Sequence, residues 1–165
     1  APGSPSKIRR VPKLSVTVIT RDEAANLAAA LDSVAWADEI VVVDSESTDA
    51  TVDIARRYTT KVLVRPWPGY VAQKNRAAAE ASHDWILSID ADERVTPALA
   101  AEIQALLQGE PAAAGFRVPR VTFHLGRWIR STDWYPDYQL RLYDRRRGRW
   151  TGTDSRSIRR SPPDG

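Results

Sequence analysis

The 165-residue chain contains no cysteine and no methionine, and its only histidines are His83 and His124. Without cysteine there is no disulfide scaffold, no thiol nucleophile and no Cys-ligated zinc. Two imidazoles are too few for a multi-histidine metal cluster. Long apolar runs are missing too. The longest, Leu27 to Leu31, falls far short of the ~20 residues that a membrane-spanning helix needs. The stretch APGSPSKIRRVPK at the N-terminus has no apolar core and does not read as a signal peptide. Apolar residues make up 42% and charged residues 27%, as in an ordinary globular domain. The length suits one domain with a sizeable core. The expected location is the cytoplasm.

The net charge of +3 is unevenly spread. Residues 141–165 hold eight Arg and three Asp, a local +5, which leaves −2 for residues 1–140. The basic character therefore belongs to the C-terminal end. A nucleic-acid-binding core is not expected, because such a core carries its positive charge on the fold itself. Arg145-Arg146-Arg147 has two readings. It is a solvated polar turn, or it gives peripheral contact with anionic lipid on the inner face of the plasma membrane.

Residues 1–13 are rich in Pro, Ser and basic side chains and are expected to be disordered. Leu14–Thr20, Glu39–Asp44, Lys61–Val64 and Trp85–Asp90 read as strands, β-branched or continuously apolar as buried parallel strands are. Between and after them, Glu23–Val34, Thr48–Tyr58, Tyr70–Ser82 and Pro97–Gln108 read as helices, with Ser47 or Thr48 as a cap for the second. This alternation predicts an α/β domain with a largely parallel sheet and right-handed crossovers. Beyond Gly109 the pattern changes. Phe116–Phe123 and Gln139–Asp144 alternate apolar and polar residues like exposed strands, and 110–150 reads as a second lobe. Residues 151–165 are expected to be disordered.

Open α/β sheets bind ligands beyond the carboxyl ends of their strands. Here those ends carry Thr20-Arg21-Asp22-Glu23, Asp44-Ser45-Glu46 and Asp90-Ala91-Asp92-Glu93, with few cations beside them in sequence. Such a cluster repels itself unless a metal or a donor-rich ligand sits there. Asp90 and Asp92, one residue apart, suit a divalent cation with open positions, and Mg2+ and Mn2+ favour oxygen ligands. The alternative is a solvated turn. Asp44 is a turn-former or a reader of base or ribose, and Lys74 is a solvated or a functional lysine.

The strings LSVTVITRDEAANL (14–27), IVVVDSESTDAT (40–51), Gln73-Lys74-Asn75 and WILSIDADE (85–93) together resemble the nucleotide-sugar-binding half of family-two glycosyltransferases. GFRVPR (115–120), Gly126-Arg127 and WYPDYQLRL (134–142) resemble more narrowly the bacterial lipopolysaccharide-core β-1,4-glucosyltransferase branch. The resemblance implies the GT-A (Rossmann-like) nucleotide-diphospho-sugar transferase fold, with helices on both faces of a largely parallel sheet. Residues 14–109 would bind the nucleotide sugar and 110–150 would face the acceptor. It implies nucleoside contacts at Thr20 and Glu23, with Arg21 nearby, and base reading at Asp44. Asp90 would lie near ribose and metal, Asp92 would ligate Mg2+ or Mn2+, and Lys74 would face phosphate.

The implied activity is inverting transfer of a sugar, glucose by the branch, from a UDP-sugar to a lipid-linked or cell-envelope glycan acceptor. Inversion by direct displacement needs a general base. Asp137 is the candidate and Asp133 the runner-up. A Pro-Asp turn is the alternative for Asp137, and Arg141 either binds an acidic acceptor or flanks a strand. The branch continues past the Trp150 region into a His-Glu segment, whereas here an Arg/Ser/Pro tail follows. Truncation or a frame change is one expectation, and it raises a second reading: a donor-binding domain with little turnover. A nucleotidyltransferase is disfavoured because Thr20–Leu27 contains no glycine for a phosphate loop. A nucleic-acid role through the Arg-rich tail would show steep salt dependence.

Overall fold

A computed structural model describes residues 11–109, 111, 113–119, 121–124, 127–130, 138–151 and 158–160. The first half alternates as its periodicity predicts: β1 (Leu14–Thr20), α1 (Leu27–Asp32), β2 (Glu39–Asp44), α2 (Thr51–Arg56), β3 (Val62–Val64), α3 (Tyr70–Glu80), β4 (Trp85–Asp90) and α4 (Pro97–Gln108). Then follow β5 (Gly115–Pro119), β6 (Val121–His124), β7 (Arg127–Arg130), β8 (Tyr138–Asp144), β9 (Gly148–Trp150) and β10 (Ile158–Arg160).

Six strands form one sheet in the order β3-β2-β1-β4-β8-β5. The first four are parallel, while β8 runs antiparallel to both β4 and β5. The sheet is thus mixed, and the second half of the chain completes it. β6 pairs with β7 and β9 with β10 as separate antiparallel ribbons.

Side-chain alternation sorts the two faces. Val16 and Val18 of β1, Val42 of β2 and Leu87 of β4 pack with Leu27 and Leu31 of α1, Ala55 of α2 and Ile103 of α4. On the other face Val41, Val43, Ile86 and Tyr143 meet Ala77 and Ala78 of α3. Helices therefore cover both faces. Each buried Leu, Ile or Val contributes about 1.5–3 kcal/mol by leaving water.

The opposite end of the sheet is held by a polar knot. Glu39 at the start of β2 accepts from Lys61 Nζ (2.8 Å), Ser15 Oγ (2.8 Å) and Ser82 N (2.7 Å). Burial pushes the Glu39 carboxyl up, but these donors outweigh it and hold it down at about 2.

Four sequence expectations need correction. α1 runs over Leu27–Asp32 rather than Glu23–Val34, with Glu23 N–H donating instead to Thr51 Oγ1. α2 begins at Thr51 rather than Thr48, because Asp49 accepts the Thr51 N–H (2.9 Å) while Ser47 turns back to Asp44. The cap is neither Ser47 nor Thr48. The stretch 116–123 does not form one strand: β5 joins the main sheet and β6 leaves it. Residues 158–160, placed in a disordered tail, form β10 against β9. Residues 11–13 show no regular structure, and residues 1–10 lie outside the described residues.

Candidate functional site

β2, β1 and β4 stand side by side in register, with Asp44 opposite Thr20 and Asp90 opposite Ile19. Their carboxyl ends therefore deliver the sequence-predicted polar residues to one edge of the sheet. Asp44 is fully buried. Its Oδ1 accepts from Thr20 Oγ1 (2.7 Å) and Ser47 Oγ (2.6 Å), and its Oδ2 accepts from Ser47 N (2.8 Å). Asp44 thereby shapes the turn after β2 with both oxygens.

The loops after β1 and β2 are clasped together. Ser47 Oγ accepts from Asp22 N (2.8 Å), Thr51 Oγ1 from Glu23 N (2.9 Å) and Asp49 Oδ2 from Ala24 N (3.2 Å). Asp22 Oδ1 returns the contact by accepting from Thr48 N (2.8 Å). Both loops carry a non-glycine residue in the left-handed region, Asp22 (φ 49°) and Glu46 (φ 56°). Such positions cost roughly 1–3 kcal/mol each and persist where surrounding bonds over-determine the backbone. Glu23 sits beside the clasp. Burial pushes its carboxyl up, its Asn26 hydrogen bond opposes this, and the fields of Asp92, Asp90 and Asp49 push it further up. Glu23, in the loop after β1, thus senses carboxylates from the segment after β2 and from the end of β4 and just beyond it.

At the end of β4 the chain turns tightly. Glu93 N donates to Asp90 O (3.0 Å) and Glu93 Oε1 accepts from Asp90 N (2.7 Å). The Asp90 carboxylate lies between two buried cations: Lys74 Nζ of α3 at 3.8 Å and Arg141 Nη2 of β8 at 3.6 Å. Lys74 is only 3% exposed. Its ammonium sits 4.1 Å from the centroid of the Trp150 ring, a cation–π arrangement. Asn75, next to it, clamps the Trp150 backbone in both directions (2.8 and 3.0 Å). Gln73 donates to Ser45 Oγ (3.1 Å), which ties α3 to the turn after Asp44.

Cations scarce in local sequence are thus supplied by tertiary structure. Self-repulsion of the carboxylates is no longer a reason for a metal at Asp90, because Lys74 and Arg141 offset that charge. Arg141 is likewise no surface binder of an acidic acceptor, since it is buried against Glu93 and Asp90. Sequence reasoning placed Glu93 in the acidic strand end but gave neither it nor Trp150 a role. The available signal was Arg141 itself, a cation on the same strand face as the buried Tyr143. Asp133 and Asp137 lie outside the described residues.

Among the described residues there is no group of three or more His, Cys, Asp or Glu arranged for a metal. The half-buried Asp92 fits a cation that keeps waters and shares substrate phosphates. It makes no hydrogen bond or ion pair among the described residues. Its oxygens are hard donors of the kind Mg2+ and Mn2+ take. A groove of about 690 Å³ lined by Trp36, Val95, Pro97 and Ala100 includes none of the predicted site residues. In the Arg145–Arg147 turn, Arg145 donates to Ala78 O and Ala81 O at the end of α3, and Arg146 pairs with Asp144 (2.8 Å). Among the described residues no helix is long and apolar enough to cross a membrane.

The sequence model for glycosyl transferase family 2 matches residues 15–160. The lipopolysaccharide core biosynthesis glycosyltransferase LpsC of Rhizobium meliloti is 34% identical over 147 residues, 85% of this chain and 54% of LpsC. A Rickettsia felis protein described as an uncharacterized glycosyltransferase is 52% identical over 93 residues, 56% of this chain and 33% of that one. The chain therefore spans between a third and about half of the length of these relatives. Among solved structures, the mannosyltransferase PcManGT of Pyrobaculum calidifontis, in complex with GDP-Man and Mn2+, is similar with a TM-score of 0.54 and 27% identity. That match covers 64% of this chain and 34% of PcManGT. Staphylococcus aureus TarS in complex with UDP is similar with a TM-score of 0.50 and 27% identity, over 59% of this chain and 32% of that one. With the parallel strands, the two-faced helical cover and the acidic strand ends all in place, the chain belongs to glycosyl transferase family 2 and has the GT-A fold.

Proposed function

We propose that this chain carries the donor site of an inverting glycosyltransferase. The enzyme moves glucose from UDP-glucose to a lipopolysaccharide-core or other cell-envelope glycan, assisted by Mg2+ or Mn2+. The observation that carries this reading is the convergence of Asp44, Asp90 and Asp92 at the carboxyl ends of neighbouring strands in a family 2 chain. The similar TarS structure holds UDP, and LpsC is named for lipopolysaccharide core biosynthesis, which supports the donor nucleotide and the acceptor class. PcManGT holds GDP-Man, so the guanine nucleotide is the competing donor to test.

In this reading Asp44 and Thr20 face the nucleoside through the turn they shape, with Glu23 beside them. Asp92 is the metal ligand and Asp90 lies toward the ribose. A bound divalent cation supplies charge neutralisation as the diphosphate departs. The acceptor hydroxyl oxygen forms a bond to the anomeric carbon as the bond to the UDP oxygen breaks. The hydroxyl proton passes to a carboxylate, Asp137 or Asp133. Lys74 reaches phosphate only if its ammonium leaves the Trp150 face. Where it stands, it acts on Asp90.

The test is thermal unfolding with UDP, UDP-glucose and GDP-mannose, each in Mn2+ and in EDTA. A ligand at a hundred times its Kd adds about 2.7 kcal/mol, which raises Tm by about 5–10 °C for a chain of this size. A Mn2+-dependent rise with UDP that disappears in Asp92→Ala is expected. A rise only with GDP-mannose would replace the uridine donor, and no rise with any nucleotide would end the donor-site reading. UDP binding without release of UDP from UDP-glucose in the presence of acceptor glycan would favour a binding domain over a transferase.

A further inference from the structure

We infer that Arg141 and Glu93 form a positioning pair that fixes the Asp90 carboxylate and the Asp90–Glu93 turn for the donor; the inference rests on the donor-site reading above. Both residues are buried, Arg141 at 4% and Glu93 at 7% exposure. The guanidinium meets the Glu93 carboxylate as a fork, Nη1 to Oε1 at 2.9 Å and Nη2 to Oε2 at 3.2 Å. The same Nη2 stands 3.6 Å from Asp90 Oδ2, and Nη1 donates to the Ser88 carbonyl at 3.3 Å. Glu93 also holds the Asp90 backbone through its N–H. The pair thus grips Asp90 twice, through its amide and through its carboxylate.

Stability alone does not account for such a pair. Taking two charges out of water costs about as much as their attraction returns, and apolar replacements of buried pairs are often no worse. Orientation is what the pair provides. Guanidinium presents its donors in one rigid plane, so one group can fork onto Glu93 while an edge faces Asp90. With Arg141 and Lys74 on opposite oxygens of Asp90, rotation of that carboxylate is restrained. Asp92, two residues on, then meets cation and diphosphate from a fixed turn. Arg141 lies on the strand that directly follows Asp137 in sequence, so the pair also ties the acceptor-side strand to the donor turn.

The test compares Mn2+-dependent UDP binding by calorimetry for the full chain and for Glu93→Gln, Arg141→Lys and Arg141→Met. Folding of each variant is checked by circular dichroism, and bound Mn2+ is read by its paramagnetic resonance line shape. Folded Glu93→Gln and Arg141→Met are expected to bind UDP·Mn2+ about tenfold more weakly, equivalent to about 1.4 kcal/mol. Their UDP affinity in EDTA should change less, and their Mn2+ line shape should broaden. Arg141→Lys should not rescue the loss, because a point charge cannot make the fork. A purely structural pair would lower Tm and leave both the affinity and the line shape of the folded protein unchanged; that result would overturn the inference. If the Arg141 variants do not fold, the near-isosteric Glu93→Gln decides alone. Wild-type protein that binds no nucleotide would end both this inference and the donor-site reading. Normal wild-type binding with unaffected variants would end this inference only.

Discussion

Asp44 is a fully buried carboxylate that accepts three hydrogen bonds. Asp44→Asn points an amide donor at groups that themselves donate. Leaving a buried polar group unsatisfied costs about 1–3 kcal/mol, and urea unfolding of the variant should show a loss of that size with an unchanged m-value. Glu23 is the opposite case. Its carboxyl is raised by burial and by the neighbouring Asp92, Asp90 and Asp49. A raised carboxyl lowers stability once the pH passes its ordinary pKa and the group ionises in the unfolded chain. Glu23→Gln should therefore raise Tm at pH 8, with a smaller effect at pH 4, measured by calorimetry. The placement of Asp44, Asp90 and Asp92 at one edge of the sheet was legible in sequence, because each stands at or just beyond the end of a strand. The pairing of Glu93 was not, because its partner Arg141 lies 48 positions away and only the fold makes them neighbours.

Among the elements, β1, β2, β4 and α4 match their sequence readings to the residue. In β1, β2 and β4 the apolar run ends at a polar residue that also ends the strand. α4 has Thr96 as its cap, accepting from Leu99 N (3.1 Å), and Pro97 in its first turn. Thr96→Ala should cost ~1 kcal/mol and lower Tm by about 2–4 °C in a thermal melt. α2 was misread at its start because Asp49, Ser47 and Thr51 all favour caps, and only the contacts with the other loop select among them. β10 was missed because strand pairing is non-local and Ile158 is its one apolar residue. The knot at Glu39 joins β1, β2, the entry to β3 and the chain after α3. Its carboxyl is held at about 2, below the ordinary 4.5. Its stabilisation is therefore complete above about pH 4.5 and is lost as pH falls through about 2. Glu39→Gln should flatten that part of the acid-unfolding curve.

At the scale of the whole molecule, the α/β half was readable from alternation. The closing of the sheet by β8 and β5 was not, since nothing in 110–150 specifies β4 as the neighbour of β8. Trp150 is a second long-range tie. Its backbone is clamped by Asn75, its indole carries Lys74, and its ring meets Tyr143 edge to face at 6.3 Å. Asn75→Ala removes both backbone bonds. The β9–β10 ribbon should then loosen while the main sheet stays intact, so amide exchange at Trp150 should quicken and that at Val42 should not. The clasp between the loops after β1 and β2 has a kinetic consequence. It is assembled wholly from the protein's own hydrogen bonds, so its ordering entropy is met when the chain folds rather than at each encounter. On the proposed donor-site reading, a nucleotide arriving there would meet a finished socket. Its capture would then be limited by diffusion and orientation, not by loop closure, and cutting the clasp at Ser47 should slow capture rather than hasten release.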